Sequence, residues 1–209
     1  MIDIQQLWVF CSASVLLSLS PGPDNLFVMA ESARHGWRSG VLVTFGLCTG
    51  LLFHTLGVAL GLAALVRGSL LLFTLLKWAG VLYLLFLAYS ALRATGEDGS
   101  AHDAAAAAPP FRLYRRGIVM NLSNPKVSLF FLAFLPQFAD PNKGPLVPQL
   151  LLLGFLFMAA ALLVFILISL IAGHAGSGLR RSGPARRILP RLSALVFLGL
   201  AVRLFFAER

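Results

Sequence analysis

Two long apolar stretches of this chain are interrupted by proline beside a charge, at matching places in its two halves. The first interruption reads Ser20-Pro21-Gly22-Pro23-Asp24-Asn25, and the second reads Asn121-Leu122-Ser123-Asn124-Pro125-Lys126. Pro23 and Pro125 lie 102 positions apart. Proline removes a helix donor and clashes with the preceding turn, so each helix has to open there. Open backbone inside lipid is tolerated only where protein buries it or a polar cavity meets it. Paired interruptions in corresponding positions of two halves point to a transporter binding site.

Composition places the chain in lipid. Of its 209 residues 58% are apolar and 12% charged, about half the charged fraction of a soluble domain. Apolar runs of near-span length recur along the whole sequence. The expectation is an all-α polytopic membrane protein with six transmembrane spans, at about residues 4–33, 40–66, 70–93, 114–138, 147–173 and 188–207. Spans one and four are the broken ones, and both are longer than lipid needs. A 30-residue helix is roughly 45 Å long, so both breaks fall well inside the membrane. The first 20 residues lack a basic leader segment and an A-x-A cleavage site, and are read as a retained span.

Residues 1–94 and 112–209 form two three-span repeats. The Ala-rich, acidic stretch 95–111, closed by Pro109-Pro110, is read as a flexible cytoplasmic linker. His102 and Asp103 within it are solvated loop residues. With the N-terminus outside, 11 Lys and Arg lie in cytoplasmic loops and 4 on the opposite face, with Lys77 and Lys126 inside spans. This bias sets both termini outside, on the side opposite the cytoplasm. Three spans per half is an odd number, so the repeats are inverted and the breaks face each other near the midplane.

The net charge of +9 comes from basic residues at span ends and does not indicate nucleic acid. Cys11 and Cys48 fall in spans with no C-x-x-C pattern, so neither a disulfide framework nor a metal site is implied. No cofactor is implied either. H-E-x-x-H and G-x-S-x-G are absent from the sequence, and a thiol carrier would need a cysteine in each half; an enzyme is not expected.

The chemistry is expected at the breaks. Asp24 is the carboxylate placed deep in a span, where it must pair, be protonated or meet water. Lys126 is the matching cation. Half-helix N-termini suit a carboxylate and freed carbonyls suit an ammonium, so a zwitterionic amino acid finds both. Asn25, Asn121 and Asn124 add neutral donors and acceptors, and Pro21, Gly22, Pro23 and Pro125 open the backbone. His54, Ser123 and Gln137 are accessory candidates. Two alternatives stand beside a substrate role. Asp24 and Lys126 form a buried ion pair that locks the halves, or Asp24 is the proton-coupling group. Gly36, Gly40, Gly46, Gly50, Gly57 and Gly61 mark a region of close helix packing.

On these residues the chain resembles the lysine exporter superfamily, and within it the homoserine/threonine resistance transporters. The matching stretches are Pro21–Asp24, the glycine-spaced run Gly36–Gly50, Gly80–Leu84, Asn121–Lys126 and the following Phe130–Phe138. The resemblance implies proton-driven export of amino acids, here small and neutral or polar ones, across the bacterial inner membrane, both termini being periplasmic, with Pro21, Gly22, Pro23, Asp24, Asn121, Asn124, Pro125 and Lys126 as functional positions. An uncoupled channel, or an exporter of another small metabolite, is the competing reading. A homodimer is compatible with the sequence, and nothing in it requires one.

Overall fold

The computed structural model describes residues 2–20, 22–62, 70–93 and 108–175, with scattered positions between 191 and 206. Pro21, most of the expected linker and most of the sixth expected span lie outside the described residues.

The described residues form helices and the short turns that join them. Seven α-helices follow in order: α1 (Ile4–Leu19), α2 (Pro23–His35), α3 (Trp37–Gly57), α4 (Leu70–Arg93), α5 (Pro110–Leu122), α6 (Pro125–Leu129) and α7 (Leu146–Ala175). Two π-helical turns extend this set, Val58–Leu62 after α3 and Phe130–Phe134 after α6. A π-turn widens the helix by one residue per turn and often marks a functional region.

Lipid-crossing character is unequal among these helices. Trp37–Gly61 and Leu146–His174 are each long and apolar enough to cross a membrane alone. Two further crossings arise if each bent pair is one span. The α1–α2 pair bends by 57°, and Pro110–Leu122 with Pro125–Phe138 bends by 50°. Both interruptions expected from proline are thus present. The third expected span is a 24-residue helix, α4. On α7, Leu152, Phe155, Leu163, Leu167 and Ile171 are exposed while Leu153, Phe157 and Ala161 are buried. A helix apolar on every face belongs in a bilayer.

Small residues bring the helices together. A Cβ on Gly46 would collide with the Tyr114 carbonyl of α5, and one on Gly117 with the Val43 carbonyl of α3. That backbone contact between α3 and α5 joins the two halves as small residues do in lipid. Gly40 lies against Ser32 and Ser169, and Gly154 against Thr55. A Cβ on Gly57 or Gly61 would meet nothing within 4 Å among the described residues, whereas Gly40, Gly46 and Gly50 are closely packed. Gly36 serves the turn from α2 to α3, at φ 88°, where a side chain would be strained. Below the second break, Phe10, Phe130, Phe131, Phe134, Phe138 and Phe157 stack with ring centroids 4.9–6.3 Å apart. This cluster fixes the segment after Lys126 against α1 and α7.

Candidate functional site

The first break leaves carbonyls at the end of α1 that no further helical turn can satisfy. Ser20 adopts an extended conformation, and its N–H turns back to Leu16 O at 2.9 Å and Leu17 O at 3.2 Å. The Asn25 side-chain amide donates to Ser18 O. Lys126 supplies the rest from the other half: its Nζ donates to Leu17 O at 3.2 Å and to Ser20 O at 3.0 Å. Gly22 admits this lysine, since a Cβ there would sit 3.1 Å from Nζ. Pro23 then opens α2, with Asp24 in its first turn, where proline costs no bond and a carboxylate meets the positive helix end.

The second break closes on itself. The Asn124 side chain accepts from Lys126 N at 3.0 Å, and Asn124 O accepts from Val127 N and Ser128 N, each at 3.1 Å. Pro125 occupies the first helical position of α6.

Between the breaks lies Asp24, 2% exposed. Asn121 Nδ2 approaches its Oδ2 at 3.5 Å. Asn124 faces the same carboxylate without closing a hydrogen bond, and Lys126 and His54 act on it through space. Asp24 and Lys126 make no salt bridge within 4.0 Å, so the locking ion pair considered from sequence is not formed; the lysine binds carbonyls instead. His54 Nε2 lies 3.4 Å from Asn121 O, and its ring stacks on Phe131 at 5.6 Å. Gly50 makes room for Asn121, whose Oδ1 would lie 2.6 Å from a Cβ at that position. Among the described residues, Asp24 Oδ1, Asn25 Oδ1 and Asn121 Oδ1 are buried and accept no hydrogen bond, and Asn124 Nδ2 and the Ser18 and Ser20 hydroxyls are buried without a partner.

Of the sequence-predicted residues, Asp24, Asn121, Asn124, Lys126 and His54 come together from both halves. Asn25 binds the end of its own half-span. Ser123 turns away, exposed, and bonds Val119 O at 2.8 Å. Gln137 Nε2 donates to Ala133 O at 3.3 Å and so caps its own turn. Glu31 was not singled out from sequence. It is nearly buried on α2, 2.8 Å from His35 Nδ1. Its i, i+4 spacing to His35 was the available signal. An open groove of about 370 Å³ lies apart from the breaks, lined by Phe45, Cys48, Thr49, Leu52, Tyr114 and Met158. Among the described residues no group of three or more His, Cys, Asp or Glu is placed to hold a metal.

The sequence profile of the LysE type translocator family matches residues 15–208. The chain belongs to this family. It is 42% identical over 147 residues, 70% of either chain, to a protein of Salmonella typhimurium named homoserine/homoserine lactone efflux protein. It is 33% identical over 208 residues to an uncharacterized membrane protein of Pseudomonas aeruginosa, covering 97% of this chain and 96% of the other. A Vibrio cholerae uncharacterized membrane protein is 30% identical over 209 residues, 99% of each chain. No solved structure matches.

This LysE type translocator is therefore a membrane transporter and not an enzyme, as the sequence led one to expect. The match includes both breaks and their surroundings. What the breaks hold is a buried carboxylate with an amide, an imidazole and a lysine around it. Among the described residues, such a set offers no nucleophile activated for covalent chemistry.

Proposed function

We propose that this translocator exports small amino acids of the homoserine type across the bacterial inner membrane by alternating access, coupled to protons at Asp24. The observation that carries this reading is a buried carboxylate at the meeting point of two bent helices, with no cation in salt-bridge contact among the described residues. Six spans arranged as two inverted repeats, with both termini periplasmic, give the rocking geometry. The similar bends of the two pairs and the cytoplasmic bias of basic residues support that arrangement. Asp24 would carry either a proton or the cationic end of the solute, so that a proton entering from the periplasm displaces the solute. The Salmonella relative is named for two compounds, homoserine and its lactone. Both carry a primary ammonium, and the lactone has no free carboxylate.

The test is uptake of labelled amino acids from the medium into inside-out vesicles, with and without a protonophore. Uptake of homoserine that collapses with the protonophore is the expected result. Uptake indifferent to the protonophore would replace the coupled exporter with a channel. Absence of homoserine movement, with protein verified in the membrane, would remove this substrate class.

A further inference from the structure

We infer that the end of α1 is a site for a monovalent alkali cation, and that the Lys126 ammonium fills it as a tethered stand-in for free sodium. This goes beyond the proposed function, which gives the proton to Asp24, and does not depend on it.

The last carbonyls of a helix carry partial negative charge, and at breaks in membrane helices such carbonyls coordinate sodium. Here Leu17 O and Ser20 O receive the Lys126 Nζ at 3.2 and 3.0 Å. The same stretch carries two more oxygens, the Ser18 and Ser20 hydroxyls. Their residues are 4% and 1% exposed, and neither hydroxyl has a partner among the described residues. Carbonyls and hydroxyls without a carboxylate suit a single charge, whereas calcium and magnesium sites draw on carboxylates.

The lysine is not held there by an ion pair. Asp24 lies past the break in the first turn of α2, and among the described residues no salt bridge joins it to Lys126. Each charge instead meets a helix end of opposite partial charge: Asp24 the start of α2, Lys126 the end of α1. Lys126 is buried, so oxygen dipoles must repay the lost hydration of its ammonium, as they would for a free ion. The space is shaped for it. A Cβ on Gly22 would sit 3.1 Å from Nζ and 3.5 Å from Cε, so the lack of a side chain at 22 leaves room for the end of the lysine. The carbonyls belong to the first half and the lysine to the second. A free ion could leave such a site; the tethered one cannot, and no sodium gradient is needed to fill it. The rival reading makes Lys126 a mere hydrogen-bond donor, replaceable by a neutral one.

The experiment compares purified full-length wild type, Lys126→Ala and Lys126→Gln in detergent, in sodium chloride or in choline chloride of equal ionic strength. Wild type should melt at the same temperature in both salts. Lys126→Ala should melt well below it in choline chloride. Sodium should then raise that melting temperature by about 3–6 °C for each tenfold increase above saturation. Lys126→Gln keeps a donor without the charge and should stay below wild type in both salts. Three results would each overturn the inference: a glutamine variant as stable as wild type, an alanine variant that responds equally to sodium and choline, or a wild type stabilised by sodium over choline. If Lys126→Ala folds in neither salt, the glutamine variant and the wild type decide.

Discussion

The two breaks look alike in sequence and are completed in different ways. The second is self-contained: Asn124 caps the helix that Pro125 begins. The first has no side-chain cap at Gly22, and the end of α1 depends on Asn25 and, across the molecule, on Lys126. One break thus holds its shape from local residues, and the other keeps its shape only while the halves are together. In the proposed alternating access, the borrowed contact is where motion would be felt first.

The largest test of this difference is Lys126→Met. It leaves Leu17 O and Ser20 O short of their charged donor, a loss of roughly 3 kcal/mol, offset in part by no longer burying a charge. A clear drop in thermal stability together with loss of transport is expected. Unchanged stability would mean that the first break does not need the second half.

Asp24→Asn sharpens the comparison from the other side. It preserves shape and removes charge, so the bent helices should persist while proton-coupled efflux falls by two orders of magnitude. Normal coupling in vesicles with normal amounts of protein would refute the assignment of Asp24. The contrast is diagnostic: the lysine variant loses fold and flux, and the aspartate variant loses flux alone.

Proline chemistry made both breaks legible; that Pro23 and Pro125 open the following half-helices came from the structure. The membrane class was equally plain, because apolar length is a one-dimensional property. The partners of Lys126 were not. Freed carbonyls near residue 20 and a lysine at 126 were each visible, but their contact joins positions 106 and 109 residues apart. Periodicity carries no information on such pairs. Lys126 was therefore read as a partner for Asp24 or for the solute. Ser123 sits outside the cluster for a local reason: its hydroxyl finds the carbonyl four residues back, an option open to any helical serine. Gly57 and Gly61 face no described neighbour, and spacing alone does not say which face of a helix meets one.

A smaller effect is expected at Gly50. Gly50→Val places a side chain where Asn121 Oδ1 would be 2.6 Å away, and overpacking costs about 1–3 kcal/mol. Asn121 must then swing from Asp24, so transport should fall about tenfold with little change at the first break. Full activity would show that Asn121 need not hold its place against the carboxylate.

The smallest predicted effect falls on the self-contained break. Asn124→Ala removes a helix cap worth about 1 kcal/mol, and Asn124→Ser should restore most of it, because a serine oxygen can still accept from Lys126 N. The cap also fixes where Lys126 starts. If the second break supports the first, Asn124→Ala should lower transport more than its modest stability loss accounts for, and Asn124→Ser should return both. Ser123→Ala, one residue away but turned outward, supplies the control, with a change within about 0.5 kcal/mol. Equal effects of the Asn124 and Ser123 variants would break the comparison, since the second break would then owe its shape to proline and packing rather than to the asparagine beside it.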